Sequence, residues 1–309
     1  MKNTIAVVIP TYNRPKALKL CLKSIQEQTC LPHEIIVIDD GSNPSVTDKV
    51  FADIPASVTC RLLRNDQPKG ANNARNRGIV SANSEFIAFL DDDDQFNPKK
   101  IELVTNAIIK NNDKDIFYHP AQIFMVNELA SYRTNPYKFS QSDNIFRLLL
   151  VKNYIGGTPM VIARKQSLIS VGLFDEKMPA LQDYELWLRL AKENYQFHLL
   201  DAPLTTCYYT TKKISISKGM DSNSKATRLI EAKYSSCYLK LSKKEIKEHN
   251  ISKKTVVIQK SLLNYNYLNA VRCQLKLFLF APRLVNFLSI FIVLLGPKAV
   301  FKVKGMLSK

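Results

Sequence analysis

The sequence of 309 residues has few of the features that mark specialised classes of protein. It contains only 9 glycines, its 6 cysteines form no CxxC pair, and it shows no internal repeat. No apolar run reaches the roughly 18 to 20 residues that a membrane-spanning helix needs. Collagen-like, glycine-rich, solenoid and propeller architectures are therefore disfavoured, and no transmembrane helix is expected.

Acidic residues are nearly missing from the last third of the chain. Residues 1–210 contain 24 Lys and Arg against 23 Asp and Glu, whereas residues 211–309 contain 20 against 4. We therefore expect a charge-balanced globular unit over 1–210 and a basic region over 211–309. Such a region suits an anionic partner, namely a membrane surface, nucleic acid or a phosphorylated substrate. The alternative is a solvated helical surface.

The N-terminal sequence does not resemble a secretion signal. Its first apolar run, Ile5–Ile9, is shorter than the roughly 7 to 15 residues of a signal-peptide core. In a chain of this length an even number of cysteines does not indicate a disulfide framework, so we expect reduced thiols. The sequence predicts a cytoplasmic protein.

Apolar runs alternate with helical patterns through the first 90 residues. Ile5–Ile9 is typical of a strand covered on both faces, and Leu18, Cys21 and Ile25 then follow at helical spacing. This alternation predicts an α/β fold with a mostly parallel, doubly wound sheet flanked by helices. We expect further strands at 35–38, 58–63, 86–90, 122–126, 160–163 and 197–200, and further helices at 71–80, 182–192, 222–241, 253–275 and 282–296.

Four consecutive aspartates, Asp91 to Asp94, follow the strand predicted at 86–90. Adjacent carboxylates repel each other, and the cost rises where solvent is partly excluded. A divalent cation relieves this repulsion, and Mg²⁺ or Mn²⁺ usually binds one or two carboxylates together with a substrate diphosphate. The alternative is an acidic turn that caps a helix opening at Asn97–Pro98, a role that suits Asp94.

Polar residues also follow the first two strands, where ligands of doubly wound sheets bind. Thr11, Tyr12 and Asn13 offer a hydroxyl, an aromatic face and an amide, and Arg14 is a candidate phosphate partner. In the Asp39–Ser42 segment, a carboxylate is able to accept hydrogen bonds from a base imide or a ribose hydroxyl. The chain has neither GxGxxG after its first strand nor GxxxxGK[ST], so dinucleotide-binding and P-loop folds are disfavoured.

The helix predicted at 182–192 places one acid on its packed face. Asp183 lies three and four residues before members of the apolar stripe, which includes Trp187. It therefore shares that face of the helix. This acid is either an N-cap or a general base in a cleft, and Trp187 is available for packing or for stacking on a sugar ring. Glu185 and Arg189 point elsewhere and are interpreted as a surface ion pair of small value.

Six motifs, in this order, resemble those of family 2 glycosyltransferases with the GT-A fold. The resemblance extends over about residues 4–210, which implies a GT-A catalytic domain over 1–210 followed by a basic helical region over 211–309. Each motif alone is weak, whereas the ordered set is highly specific. The motifs are Val8–Arg14, Val37–Ser42, Gly70 with Ala74–Gly78, Phe89–Asp94, Val171–Asp175 and Gln182–Arg189.

The resemblance implies an inverting, metal-dependent, hexosyltransferase-like enzyme that uses a nucleotide-sugar, most often a UDP-sugar. The Asp-x-Asp motif of the family maps to Asp91 and Asp93, which become the implied ligands of Mn²⁺ or Mg²⁺. The register is ambiguous by one, since Asp92 and Asp94 are also two apart. The implied nucleotide-sugar contacts are Pro10, Thr11, Tyr12, Arg14, Asp39, Asp40, Gly70, Arg75, Asp91 and Asp92, with Asp40 facing the uracil.

The catalytic base of the family falls on Asp183. Many relatives have Glu-Asp where this chain has Gln182-Asp183, and Gln182 is unable to act as a base. A single displacement with Asp183 as general base is therefore expected, without a covalent enzyme intermediate. The candidate acceptor contacts are Gln182, Trp187, Gly157 and Thr158.

The stretch Leu284–Leu295 is apolar and has Arg283 before it and Lys298 after it. As a helix it would extend about 18 Å, which is too short for the roughly 30 Å core of a bilayer. It suits a helix lying in an anionic membrane interface, whereas a buried packing helix or a contact in a homo-oligomer is the alternative. By analogy with the family, we expect a glycan or lipid-linked glycan acceptor in bacterial surface-polysaccharide or lipopolysaccharide synthesis. The same analogy predicts a peripheral location at the inner face of the cell membrane.

Three other functions fit the sequence less well. A metal-dependent nucleotidyltransferase also uses acids and a diphosphate, but usually has a glycine-rich basic loop, which Pro10–Arg14 is not. The net charge of +17 suggests a nucleic-acid-binding protein, yet the basic region lacks the aromatic spacing of a stacking platform. No nucleic acid partner is therefore expected. The complete set of acids disfavours a catalytically inactive relative.

Overall fold

Seven strands form the main β-sheet of the protein, whose computed structural model describes residues 3–211 and 220–308. In spatial order they are β10 (Phe197–Leu199), β6 (Ile116–Tyr118), β9 (Val161–Arg164), β4 (Phe86–Phe89), β1 (Ile5–Thr11), β2 (Glu34–Asp39) and β3 (Thr59–Arg64). Neighbouring strands are parallel, except that β9 runs antiparallel to β4 and β6. The predicted α/β fold with a mostly parallel sheet is confirmed.

Helices cover both faces of this sheet, because its strands are apolar on both sides. Side chains of β1 alternate in direction: Ala6 and Val8 join one hydrophobic cluster, and Val7 and Ile9 join the other. Helices α2 and α6 contribute to the first cluster, and α1 and α3 to the second. The six helices of this part are α1 (Pro15–Gln26), α2 (Ala71–Ser81), α3 (Lys100–Lys110), α4 (Ile145–Val151), α5 (Lys165–Ser170) and α6 (Gln182–Lys192).

A smaller sheet contains four strands that the apolar pattern predicted only in part. Its order is β5 (Asp94–Phe96), β11 (Thr205–Tyr209), β7 (Ala121–Met125) and β8 (Ala130–Arg133). Only β7 was expected. Asp94 is paired with Cys207 in this sheet and α3 begins at Lys100, so the prediction that Asp94 caps a helix is wrong.

The C-terminal region is helical, as predicted, but its helices have different bounds. They are α7 (Met220–Lys233), α8 (Ser235–Tyr238), α9 (Lys243–Leu263), α10 (Tyr267–Phe280), α11 (Leu284–Leu294) and α12 (Pro297–Leu307). The helix predicted at 253–275 is divided between α9 and α10, because the chain turns at Tyr265, which has φ +61°. The domain boundary predicted near 211 borders residues 212–219, which lie outside the described residues.

The C-terminal helices pack on the rest of the protein through α7, α9 and α12, and α9 meets α4 where Arg147 pairs with Glu245. Ala226, Ile230 and Tyr234 join the hydrophobic cluster that contains α6. At the other end, the ring of Phe301 in α12 stacks on Tyr132 of β8, with ring centroids 6.1 Å apart. Among the residues described, no helix combines the length and the apolar character needed to cross a bilayer.

Glu185 corrects the prediction of a surface ion pair. Its side chain is only 1% exposed, and Arg189 donates to its carboxylate at 2.8 Å. Lys233 of α7 donates to the same carboxylate at 2.6 Å. Arg189 also donates to the carbonyl oxygens of Val171 and Leu173. The ion pair is buried because α7 and the 171–173 turn cover a helix position that looks solvent-facing in the sequence.

We expect Glu185→Gln to lower the free energy of unfolding by about 3 kcal/mol, because it leaves the largely buried Arg189 without its counter-charge. Urea unfolding followed by circular dichroism measures this change. Glu193→Gln is the matched control: Glu193 ends the same helix but is exposed, so it should shift stability by less than about 0.5 kcal/mol. Equal effects of the two substitutions would contradict the buried network.

Candidate active site

The loops after β1, β2 and β4 meet at the carboxyl edge of the main sheet. Asn13 has φ +54°, and its N–H donates to the Ser42 Oγ at 2.9 Å. Asn43 N–H donates back to Asn13 Oδ1 at 2.8 Å. The Thr11 hydroxyl donates to Asp92 Oδ2 at 2.7 Å. These bonds bring together polar residues that the sequence places at three separate strand ends.

The four aspartates point alternately outward and inward. The side chains of Asp91 and Asp93 are 31% and 49% exposed. Asp92 and Asp94 are buried, and Asp94 accepts the Tyr208 N–H at 3.2 Å. The accessible acids are thus Asp91 and Asp93, the pair that the family resemblance implies as metal ligands.

Burial and mutual repulsion raise the pKa values of the inner acids and of Asp93. Burial raises the pKa of Asp92 to about 6, although the Thr11 hydrogen bond and the Arg14 charge oppose the shift. Burial and the charge of Asp91 raise the pKa of Asp93. Burial, with the charges of Asp91 and Asp93, holds the pKa of Asp94 well above its usual range. A concentration of negative charge of this kind favours a bound cation.

The accessible carboxylates fit a magnesium or manganese site that the ligand completes. No three His, Cys, Asp or Glu side chains are grouped so as to hold a metal in residues 3–211 and 220–308. Asp91 and Asp93 would therefore supply two oxygens, and substrate or water oxygens would supply the others, as is usual for Mg²⁺. Arg14, the predicted phosphate partner, lies at this point: its Nη1 is 3.1 Å from Asp92 Oδ1 and 2.7 Å from Asp93 Oδ2.

Arg75 is buried beside the outward acid Asp91. Its Nη2 donates to Asp91 Oδ1 at 2.5 Å, and its guanidinium carbon lies 5.7 Å from the centroid of the Phe174 ring. The buried Nε and Nη1 atoms find no hydrogen-bond partner among the residues that the structure describes. Unsatisfied buried donors are rare, so these two fit an oxygen-rich anionic ligand.

Asp183 lies in the first turn of α6 and faces Gly157. A Cβ added at Gly157 would lie 3.5 Å from Asp183 Oδ2, so any side chain there would fill the space in front of the carboxylate. Burial and the charge of Asp91 raise the pKa of Asp183, whereas the Tyr184 N–H and the charge of Arg75 lower it. The charges of Arg75 and Asp91 therefore have opposite effects on the pKa of Asp183.

Trp187 does not have the exposed position that stacking on a sugar requires. It is fully buried, and its Nε1 donates to the carbonyl oxygen of Gly156 at 3.0 Å. The prediction of ring stacking is wrong, and the alternative of packing is correct. Of the other candidate acceptor residues, Gln182 is partly exposed at the start of α6, and Thr158 is buried beside Gly157.

Asp39 supports a loop instead of facing a ligand. Its side chain is fully buried and accepts the N–H groups of Ser42 at 2.9 Å and Val46 at 3.1 Å. Burial alone would raise its pKa, but these bonds and the ion pair with Arg64 lower it. The implied nucleotide contact is corrected accordingly, because no part of this carboxylate is accessible.

Asp40 holds the loop that leads into α2. It accepts from Asn65 Nδ2 at 2.6 Å, from Lys69 N at 2.9 Å and from Gly70 N at 2.8 Å. Gly70 has φ +92°, a conformation that other residues rarely adopt. The same loop precedes Arg75. A contact between Asp40 and a base stays a prediction.

The two remaining predicted residues lie at the end of β1. Pro10 is buried in the strand, and Tyr12 is 46% exposed in the loop that follows. Their chain positions put them next to Thr11, which is bonded to Asp92. Tyr12 thus offers an accessible ring in the loop that follows β1.

The sequence patterns missed a buried lysine beneath the site. Lys100 Nζ donates to the carbonyl oxygen of Pro159 at 2.7 Å and to Thr205 Oγ1 at 2.9 Å, and lies 3.7 Å from the centroid of the Phe96 ring. Burial holds the pKa of Lys100 well below its usual range. It anchors the segment after Gly157. A lysine at the start of an amphipathic helix gives no sequence signal of burial.

Comparison with known proteins identifies the family. The sequence profile of "Glycosyl transferase family 2" matches residues 6–172, more than half of the chain. The chain belongs to glycosyltransferase family 2. This glycosyltransferase is 29% identical over 303 residues to an "Uncharacterized glycosyltransferase" of Haemophilus influenzae, across 98% of this chain and 99% of the relative.

A second relative has a named activity. The chain is 28% identical over 225 residues to "UDP-Glc:alpha-D-GlcNAc-diphosphoundecaprenol beta-1,3-glucosyltransferase WfgD" of Escherichia coli, across 73% of this chain and 82% of the relative. Among solved structures, S. aureus TarS 1–349 is similar, with a TM-score of 0.54, 17% identity, and coverage of 87% of this chain and 88% of TarS. The same TarS fragment in complex with UDP-GlcNAc gives a TM-score of 0.53 at 16% identity, over 87% and 89% of the two chains. This likeness confirms the predicted GT-A fold.

Proposed function

We propose that this glycosyltransferase moves a sugar from a UDP-sugar to a hydroxyl of a glycan or lipid-linked glycan, with inversion at the anomeric carbon. The observation that carries the proposal is the Asp183 carboxylate, which lies against the side-chain-free Gly157 and is influenced by the charges of the hydrogen-bonded pair Arg75 and Asp91. Two likenesses support the donor class. WfgD is named for transfer from UDP-Glc to a diphosphoundecaprenol-linked sugar, and TarS has been solved with UDP-GlcNAc.

The chain's own residues account for the proton transfer and for donor orientation. The ionised Asp183 takes the proton of the acceptor hydroxyl as that oxygen attacks the anomeric carbon from the side opposite the leaving UDP. Arg75 favours the ionised form of Asp183, and its two unpaired donors are available to oxygens of the diphosphate. Mn²⁺ or Mg²⁺ held by Asp91 and Asp93 would neutralise charge on the leaving diphosphate.

The transfer rate should fall in acid with an apparent pKa above that of an ordinary aspartate. A general base works only when ionised, and burial raises the pKa of Asp183, so the acid limb moves to higher pH. The measurement is kcat against pH, from the rate of UDP release at saturating donor. An acid limb at the ordinary value of about 3.9 would contradict a buried base.

A panel of UDP-sugars tests the function itself. Each donor is incubated with the protein, Mn²⁺ and a mixture of simple glycosides, and UDP release is scored. We expect one donor to be preferred, and a β-linked product from an α-linked donor by NMR. Retention of configuration, or no release from any donor, would overturn the proposal.

We also propose that the acceptor is lipid-linked and that the protein acts peripherally at the inner face of the cell membrane, in surface-polysaccharide synthesis. The lipid-linked acceptor in the name of WfgD supports this. The excess of basic over acidic residues in 211–309 supports contact with an anionic surface.

A further inference from the structure

We infer that one apolar stripe of α11 inserts into an anionic lipid surface and holds the cleft of the enzyme next to it. The stripe, called here the α11 face, consists of Leu284, Phe287, Leu288, Phe291, Leu294 and Leu295. This inference rests on the proposed lipid-linked acceptor, and it names the surface that would meet the membrane.

The α11 face is uncovered in the structure. Its members are between 42% and 76% exposed, and they recur at intervals of three and four residues, so they line one side of the helix. The other side packs on α10, where Gln274 donates to the Asn286 carbonyl oxygen at 2.9 Å. Phe287, the least exposed member of the α11 face, lies at its border, because its ring centroid is 5.5 Å from that of Phe278 in α10. From α11 only Ile290 and Val293 are buried.

The apolar surface continues onto α10. Leu268, Leu275 and Leu279 of α10 are 76%, 43% and 78% exposed. Soluble proteins rarely expose so many large apolar side chains on two consecutive helices without a partner. These side chains are therefore expected to contact a partner, and the charged residues nearby indicate its chemistry.

Several cations lie on the helices that carry the apolar residues, and Glu248, the last acid of the chain, is paired with Arg283. Arg272 and Lys276 are exposed on α10, Lys298 is exposed just after α11, and Lys254 Nζ lies 5.3 Å from the centroid of the Phe280 ring. No Asp or Glu follows Glu248 in the chain. A second copy of the chain would bring like charges together, whereas anionic headgroups complement them. A helix that is too short to span but apolar along one exposed side suits insertion at the interface.

Contacts connect the start of α11 to the segment that leads to Gly157. Arg283, which precedes α11, forms an ion pair with Glu248 of α9. The next residue, His249, is hydrogen-bonded to the carbonyl oxygen of Val151 at 3.3 Å, at the end of α4. Five residues separate Val151 from Gly157, which lies against Asp183. A membrane on the α11 face would thus be linked, through α9 and α4, to the segment that carries Gly157.

Vesicle co-sedimentation of the full chain tests the inference. The wild-type protein should bind vesicles of phosphatidylglycerol mixed with phosphatidylcholine, and should bind phosphatidylcholine alone weakly. Leu288→Glu with Phe291→Glu should weaken binding by about tenfold or more, because charged side chains would enter the apolar layer. Leu239→Glu is the matched control, since Leu239 is 86% exposed in the same basic region but follows α8 and is not part of the α11 face.

A second pair of substitutions tests the charge. Arg272→Glu with Lys276→Glu should reduce binding to the anionic vesicles and leave the weak binding to phosphatidylcholine nearly unchanged. These variants also keep the test decisive if the α11 pair fails to fold, which thermal unfolding would show. Wild-type-like binding by the folded variants of either pair would overturn the inference.

Two further outcomes would also reject it. One is no binding by the wild type, and the other is a lipid-free dimer that the Leu288 and Phe291 substitutions dissociate in sedimentation velocity. UDP titration on the same samples separates the two proposals. UDP binding without vesicle binding rejects the α11 face alone, and vesicle binding without UDP binding rejects the proposed function alone.

Discussion

Replacing Asp183 with asparagine should lower kcat by about 10³-fold and leave the affinity for UDP close to that of the wild type. Asparagine keeps the size of the side chain and its oxygen for the Tyr184 N–H, which lies 2.7 Å away, but it is unable to accept the acceptor proton. UDP release measures the rate, and calorimetric titration measures UDP binding. The two readouts separate a catalytic base from a helix cap.

Asp113→Asn provides the control, because Asp113 is an exposed acid. Among the residues that the structure describes, its only ion pair is with the neighbouring Lys114. It should keep both rate and affinity. If Asp183→Asn lost UDP binding and thermal stability together with activity, Asp183 would be a structural cap. The proposed single displacement would then lack its base.

Replacing Asp93 with asparagine should remove the dependence of UDP binding on Mn²⁺. With Mn²⁺ present, the affinity should fall by about 100-fold, equivalent to about 3 kcal/mol, because a carboxylate oxygen proposed to bind the metal is lost. Asp93 is the most exposed carboxylate of the pair proposed to bind the metal, so its replacement should disturb packing little. Titration of UDP with and without Mn²⁺, on both proteins, gives the result directly.

Asp92→Asn tests the register of the aspartate run. The Asp92 carboxylate points inward to Thr11 and Arg14, so this variant should keep the Mn²⁺ dependence. If instead Asp92→Asn removes the dependence and Asp93→Asn keeps it, the metal register is shifted by one residue. UDP binding that needs no metal in any variant would reject the two-carboxylate site.

The ambiguity in the aspartate run shows a limit of reading a sequence. Four identical residues do not show which of their side chains point inward, and only the path of the backbone decides this. In the fold, Asp94 starts a short strand that pairs with β11, and this pairing fixes which acids turn inward. The strand itself was not predicted, since Asp94–Phe96 is too short and too polar to stand out.

Side-chain surroundings were also beyond the sequence where distant segments cover a position. The i, i+4 spacing of Glu185 and Arg189 is the same on an exposed and on a buried helix face, and Lys233 comes from another helix. Trp187 lies one helical turn after Asp183 on the same side of α6, yet it is fully buried and donates to the carbonyl oxygen of Gly156. Spacing along a helix shows which residues share a face, but only the segments packed against that face decide which of them are covered.

The sequence by itself determined where most strands and helices of the main sheet alternate, the mostly parallel α/β class and the family motifs. Local periodicity and turn residues encode these features, and α6 occupies the predicted 182–192. Only the tertiary structure decided that Arg75 pairs with Asp91 and influences Asp183, that Gly157 lies against the Asp183 carboxylate, and that Asp39 is inaccessible. These relations depend on which loops meet at the edge of the sheet, and loop contacts between distant residues leave no periodic trace in a single chain.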